Sequence, residues 1–494
     1  MIADSSGIII SFICYILVML MIGWFFYRKT SNLSDYILGG RGLNSWVTSL
    51  SAQASDMSGW LLLGLPGYAY LSGLNAVWLA SGLAIGTYIN WRFVARKLRK
   101  YTEVAGNSIT LPDYFQHRFQ ANSHTLRVVA AIFIVIFFLI YTASGFVAGA
   151  KLFNTVFGMS YLTALTTGVA VIIIYTFLGG FMAVSWTDFL QGIIMFIAII
   201  SIPALAISES GGIDASLAAI KNVDSQLLSL TITEEGNSIT IITIISLMAW
   251  GLGYFGQPHI LARFMAIKHS GMIKKARRIA MIWVLISLVC AIMVGLLGNI
   301  ILQEILVGND SETVFMLLVD SLSNPLFTGI LLSAILAAIM STADSQLLVA
   351  SSALTEDIYR LFKPDASQKQ LVTIGRLAVI LIAIIAFFIA FNPEASVLDL
   401  VAYAWAGFGA AFGPLVLLSL YWKKMTYASA IAGVISGGIT VLIWKQLEGG
   451  IFDLYEIVPG FLVSVIFIVI ISIFGKPVRP AVIAEYESVE SYDV

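Results

Sequence analysis

Stretches of about 20 apolar residues, each long enough to cross a hydrocarbon layer about 30 Å thick, recur along this chain. We read thirteen, at 8–27, 43–70, 74–95, 125–150, 158–178, 189–207, 240–262, 279–302, 326–355, 371–391, 396–422, 428–447 and 456–475. With 59% hydrophobic and 11% charged residues and a mean hydropathy of +0.93, the composition is that of a multi-pass membrane protein and excludes a soluble globular domain. The first stretch follows Asp4 and precedes Arg28 and Lys29 without a small-residue cleavage site, so it reads as a retained helix.

Basic residues orient such a chain, because they accumulate in cytoplasmic loops. With the N-terminus outside and the C-terminus inside, 24 of the 27 Lys and Arg fall on the cytoplasmic side, in six clusters that include Arg92 to Arg127 and Arg263 to Arg278. Only Lys151, Lys221 and Lys445 fall outside. The connections 92–124 and 208–238 are too short for independent domains. Cys14 and Cys290 read as buried small hydrophobes, and the end carrying Glu485, Glu487, Glu490 and Asp493 reads as a solvated, disordered tail. A net charge of −1 gives no sign of a nucleic-acid partner, and no obligate protein partner is inferred.

Two spans are interrupted. The second carries Ser51, Ser55, Asp56, Ser58, Gly59, Gly64, Pro66 and Gly67, and the seventh runs Trp250-Gly251-Leu252-Gly253-Tyr254-Phe255-Gly256-Gln257-Pro258. In lipid, a broken helix frees carbonyls that need partners, so breaks persist where they line an internal cavity. Asp56 sharpens this, because a carboxylate at mid-bilayer costs about 2.5–3.5 kcal/mol and marks a functional site. The two spans stand first in two blocks of five, set in opposite orientation by the odd count, which is the inverted-repeat plan of LeuT-type transporters. The expected divisions are 1–42 (extra helix and loop), 43–207 (first repeat), 208–239 (external loop), 240–422 (second repeat) and 423–494 (two extra helices and tail). The G-x-G-x-x-G at Gly251 to Gly256 is an accident, since a dinucleotide loop needs a preceding strand.

Ala338, Ser341, Thr342 and Ser345 share one face of the ninth span. With carbonyls near Ala54 and Met57, the group Ala338, Ser341 and Thr342 would complete a five-oxygen shell for Na+. Hydroxyls do not titrate near neutrality, which favours Na+ over H+, while Asp56 and Asp344 keep a proton alternative open. Trp60, Tyr141, Trp250 and Tyr254 lie at or near the breaks, where aromatic faces suit a cationic amine and half-helix N-termini suit a carboxylate. A zwitterionic amino acid meets both demands. A sugar is disfavoured, because Gln53 and Gln257 are the only amides at the breaks.

At these motifs the chain resembles the solute:sodium symporter family, and within it the bacterial sodium/proline branch. The resemblance rests on Asp35 to Arg41, Ser55 to Trp60, Tyr175 to Gly180 with Ser185 to Asp188, Trp250 to His259, and Ser341-Thr342, in order over nearly the whole length. It implies Na+-coupled uptake of L-proline across a bacterial plasma membrane by alternating access. It also implies Na+ at Ala54, Met57, Ala338, Ser341 and Thr342, and proline at Trp60, Tyr141, Trp250, Tyr254 and Pro258. Asp56 and Ser58 would support ion affinity, and Arg41 and Asp188 would serve coupling. Asp344 follows the hydroxyl pair where the branch varies, so its effect on ion affinity stays open. The competing readings are a Na+- or H+-coupled symporter of another small zwitterion and, more distantly, an intramembrane enzyme with Asp56 and Asp344 as its carboxylate pair.

Overall fold

The structure is a computed structural model that describes residues 5–28, 32–178, 180–232 and 237–491. Asp4, Lys29, Gly179 and Asp493 lie outside the described residues. The described chain is all-helical, with two isolated bridges, Leu43 to Ile267 and Ile232 to Ser238, as its only extended pairing. Among the described residues, ten helices are long and apolar enough to cross a membrane, and the bent pair Ile241–Gly256 and Pro258–Ala266 makes an eleventh if taken as one span.

One of these helical runs, Trp60–Val104, has 45 residues, far more than one crossing needs. Its helical geometry breaks at Gly73, whose φ of +61° admits glycine and few others. An added Cβ there would also collide with the backbone of Leu227. The helix Pro325–Ser352 and its continuation to Phe362 are 83% buried over their most apolar window, against 28% for Ser6–Tyr27 and 28% for Ile457–Phe474. Hydroxyl-bearing Pro325–Ser352 is therefore the core of the bundle and the terminal helices are its rim. Outward apolar residues such as Leu17, Ile174, Phe388 and Ile473 are exposed, as a lipid-facing surface requires.

Three expectations are corrected. Cys14 is exposed on the outer face of Ser5–Tyr27 and Cys290 is half-buried, so hydrocarbon rather than protein surrounds the first. Arg263, counted with the loop cations, is wholly buried inside the bundle. The acidic tail forms the helix Pro480–Ser491, with Val482, Tyr486 and Val489 buried. These residues make a stripe at helical spacing that a count of carboxylates conceals.

Tyr486 packs on Tyr101 at 6.3 Å between ring centres and lies 5.2 Å from the Arg118 guanidinium. Lys423 to Glu487 (2.9 Å) and Lys97 to Glu490 (3.6 Å) pair at its edges. The exposed pairs add little, whereas burial of one large side chain contributes about 1.5–3 kcal/mol. Tyr486→Ala is accordingly expected to release the tail to limited proteolysis, whereas Glu487→Gln is not; equal protection in both variants would refute the ranking.

At the same basic end, His117 sits 3.3 Å from Asp113. The Asp113 side chain raises the His117 pKa above its usual 6.5, against burial and Arg127. A raised pKa means the contribution is complete below about 6.5 and fades as pH climbs through the folded value. His117→Ala should therefore lower the melting temperature measurably at pH 6 and leave it unchanged at pH 9.

Candidate functional site

The first break follows Ser45–Asp56. Met57 leaves helical geometry (φ −81°, ψ 67°), and the chain regains a helical turn at Trp60–Gly64. In an unbroken helix the Ser58 N–H would donate to the Ala54 carbonyl. Here it donates to the Asp56 carbonyl at 2.9 Å, and the Ala54 oxygen is released. That oxygen accepts the Ser341 hydroxyl at 2.8 Å and the Thr342 hydroxyl at 3.4 Å. The Ser341 hydroxyl also lies 3.2 Å from the Ala338 carbonyl. The structure thus gathers Ala54, Ala338, Ser341 and Thr342 at one spot, with Met57 at the break beside them.

The second break is a 3-10 run, Ala249–Gly256, then extended Gln257 and a helix that opens on Pro258, with a 46° bend. Proline suits that first helical position because no N–H is needed there. The loosened carbonyls find side chains: Trp250 accepts from the Trp405 indole at 2.7 Å and Tyr254 from the Asn90 amide at 2.9 Å. Gly253 is required by this close approach, since a Cβ would enter the Trp405 ring.

Asp56 joins the two breaks. Its Oδ2 accepts the Tyr254 hydroxyl at 2.9 Å, and its carbonyl accepts the Trp60 indole at 3.1 Å and the Tyr141 hydroxyl at 3.4 Å. Its other carboxylate oxygen is buried without a partner among the described residues. Trp60 and Trp250 face each other at 6.5 Å. Trp60, Tyr141 and Tyr254 are each 1% exposed and Trp250 6%, so the aromatic cluster is buried. Pro258 lines a crevice of about 20 Å³ with Ile37, Thr110 and Asp357. Ser58 is buried at the break, its hydroxyl 3.4 Å from the Trp60 amide.

The remaining candidates lie elsewhere. Asp188 is wholly buried; its Oδ2 accepts from Ser51 at 2.7 Å and Arg263 at 3.1 Å. Arg263 also bonds the Ser345 hydroxyl, which donates to Asp344 at 3.3 Å. Asp344 thus belongs to the Asp188 group, whereas Asp56 is bonded to Tyr254, so the two carboxylates proposed as a catalytic pair have separate partners. Arg41 is at the basic end, where it donates to the Met265 carbonyl at 2.6 Å and the Ser108 carbonyl at 2.8 Å. It ties the end of the second broken helix to the loop after Val104 and does not reach Asp188.

The sequence reading named Ser51 at the first break and Arg263 among the loop cations without a site role for either, and it did not single out Trp405. Trp405 stacks on Trp250 and meets Tyr254 edge-on at 5.0 Å. Arg263 carried a readable signal, an arginine five residues after Pro258 inside an apolar run, but loop counting absorbed it.

Two interrupted helices set against a buried hydroxyl face define a secondary transporter of LeuT type. A solved Na+-coupled sialic acid symporter shares the fold, with a TM-score of 0.80 at 20% identity over 96% of this chain and 99% of that one. The sequence profile of the sodium:solute symporter family matches residues 36–437, and the chain belongs to that family. It is 51% identical to a sodium/proline symporter of Salmonella typhimurium over 480 residues, 96% of this chain and 94% of the relative. It is also 49% identical to an osmoregulated proline transporter of Bacillus subtilis over 482 residues, 97% of this chain and 96% of the relative.

Proposed function

We propose that the chain carries L-proline into a bacterial cell in symport with Na+, as a multi-pass protein of the plasma membrane. The observation that carries the reading is the Ala54 carbonyl, released by the first break and met by the Ser341 and Thr342 hydroxyls. Carbonyls and hydroxyls are the hard, non-titrating donors that a small monovalent cation needs. Met57 and Ala338 carbonyls would complete the shell. Proline would lie among Trp60, Tyr141, Trp250, Tyr254 and Pro258, its ring against aromatic faces and its charges toward the freed backbone groups of the breaks.

The topology that fits is thirteen spans with the N-terminus outside, in which 43–207 and 240–422 are inverted five-helix repeats. Na+ would bridge the first broken helix to Pro325–Ser352 and so favour the arrangement that receives proline. Asp56 and Ser58 hold the break. Arg41, at the cytoplasmic end, and the Asp188, Arg263 and Asp344 group, inside the bundle, would link that end to the ion site.

The test is uptake of labelled L-proline into proteoliposomes. An inward Na+ gradient is expected to drive accumulation, and a proton gradient alone is not. Competition by a panel of amino acids and betaines then fixes the substrate. Proton-driven uptake indifferent to Na+ would overturn the coupling, and another zwitterion that abolishes labelled-proline uptake at far lower concentration than unlabelled proline does would overturn the substrate.

A further inference from the structure

Two surface cavities meet at the basic end of the bundle, beside the first broken helix. The larger, about 690 Å³, lies between Trp46 and Val47 of that helix, Trp186 and Phe189, and Met272 and Lys275. The second, about 520 Å³, shares Trp186 and Phe189 and continues along Met21, Phe25 and Leu190 with only apolar side chains around it. No carboxylate lines either cavity among the described residues. Lys275 is exposed and has no ion pair among the described residues, and exposed Lys274 and Arg278 flank it. Tryptophans concentrate at the headgroup level of a membrane, and Trp24 and Trp46 are half exposed here.

We propose that the two cavities form one site for an anionic glycerophospholipid, its phosphate on Lys275 and one acyl chain in the trough between Phe25 and Leu190. Each half explains the other. A free phosphate has no use for the trough, and a hydrocarbon chain none for the lysines. Clustered cations at a membrane surface select anionic over zwitterionic headgroups.

The site also bears on transport, because the wall it fills is the end of the broken helix. Ser45 donates to the Met272 carbonyl at 3.1 Å and Ser49 to the Ala276 carbonyl at 2.7 Å, on either side of Lys275. A lipid seated there braces the half-helix whose far end holds Ala54 and Asp56.

Native mass spectrometry of the purified protein with phosphatidylglycerol or phosphatidylcholine tests this without Na+ or proline, so its failure is separate from failure of the transport reading. One phosphatidylglycerol is expected to be retained at least fivefold better than phosphatidylcholine. Lys275→Gln should abolish that preference, and Leu190→Trp should lower retention of both by filling the trough. Lys369→Gln, a change at an exposed lysine that lines neither cavity, should alter neither. Equal retention of the two lipids, or equal loss in the Lys275 and Lys369 variants, would overturn the site. Competition by glycerophosphoglycerol as strong as by the whole lipid would overturn the role of the trough.

Discussion

Ser341→Ala is expected to raise the Na+ concentration for half-maximal proline uptake by about 10- to 100-fold while leaving the ranking of competing substrates intact. The magnitude follows from the loss of one oxygen donor to a charged partner, about 1.5–3 kcal/mol, at 1.4 kcal/mol per factor of ten. Ser341 is the stronger test of the pair, because its hydroxyl stands 2.8 Å from the Ala54 oxygen and that of Thr342 stands 3.4 Å away. Thr342→Ala should therefore shift the Na+ curve in the same direction by less. Saturating Na+ should restore the maximal rate in both variants, since the aromatic cluster is untouched. Na+ activation curves that superimpose on the parent's would remove both residues from the ion site.

The second large effect is at Asp56. Asp56→Ala removes the side-chain bond that joins the two breaks and strands the Tyr254 hydroxyl, wholly buried, without its 2.9 Å partner. An unsatisfied buried group costs about 1–3 kcal/mol, and lost alignment of the breaks adds to it, so uptake should fall by about 100-fold. Asp56→Glu should keep partial transport at raised Na+, because Asp56 holds the break and shapes the field near the ion without lying in its shell. A double-mutant cycle with Tyr254→Phe measures the link directly, and a coupling of about 0.5–3 kcal/mol in apparent Na+ affinity is expected. Strict additivity would show that the Asp56 to Tyr254 bond does not join the breaks.

Both predictions use residues that were visible as isolated oddities in the sequence. Asp56 was conspicuous because a carboxylate in an apolar run is costly, and Ser341 and Thr342 because hydroxyls shared one helical turn. Trp405 was invisible for the opposite reason: an aromatic residue in an apolar span looks like every other packing residue until a neighbour's carbonyl is seen to accept from its indole. The tail was misread because its four carboxylates outweighed Val482, Tyr486 and Val489, which pack only when Tyr101 and Arg118 are brought beside them. Arg263 was assigned to a loop because charge counting sorts residues by position along the chain, whereas its ion pair with Asp188 spans 75 residues.

By itself, the sequence determined the class of this protein. Apolar run length, cation placement and paired glycine- and proline-rich breaks are local properties, and in a bilayer they leave only a helical bundle with its polar groups turned inward. Which polar groups meet was decided by the tertiary structure alone. The Ala54 oxygen becomes available because Ser58 turns its N–H to Asp56, and it becomes a site because a helix almost 290 positions away sets two hydroxyls against it. Close contact between such distant residues depends on how helices pack, and no periodicity within a segment encodes it.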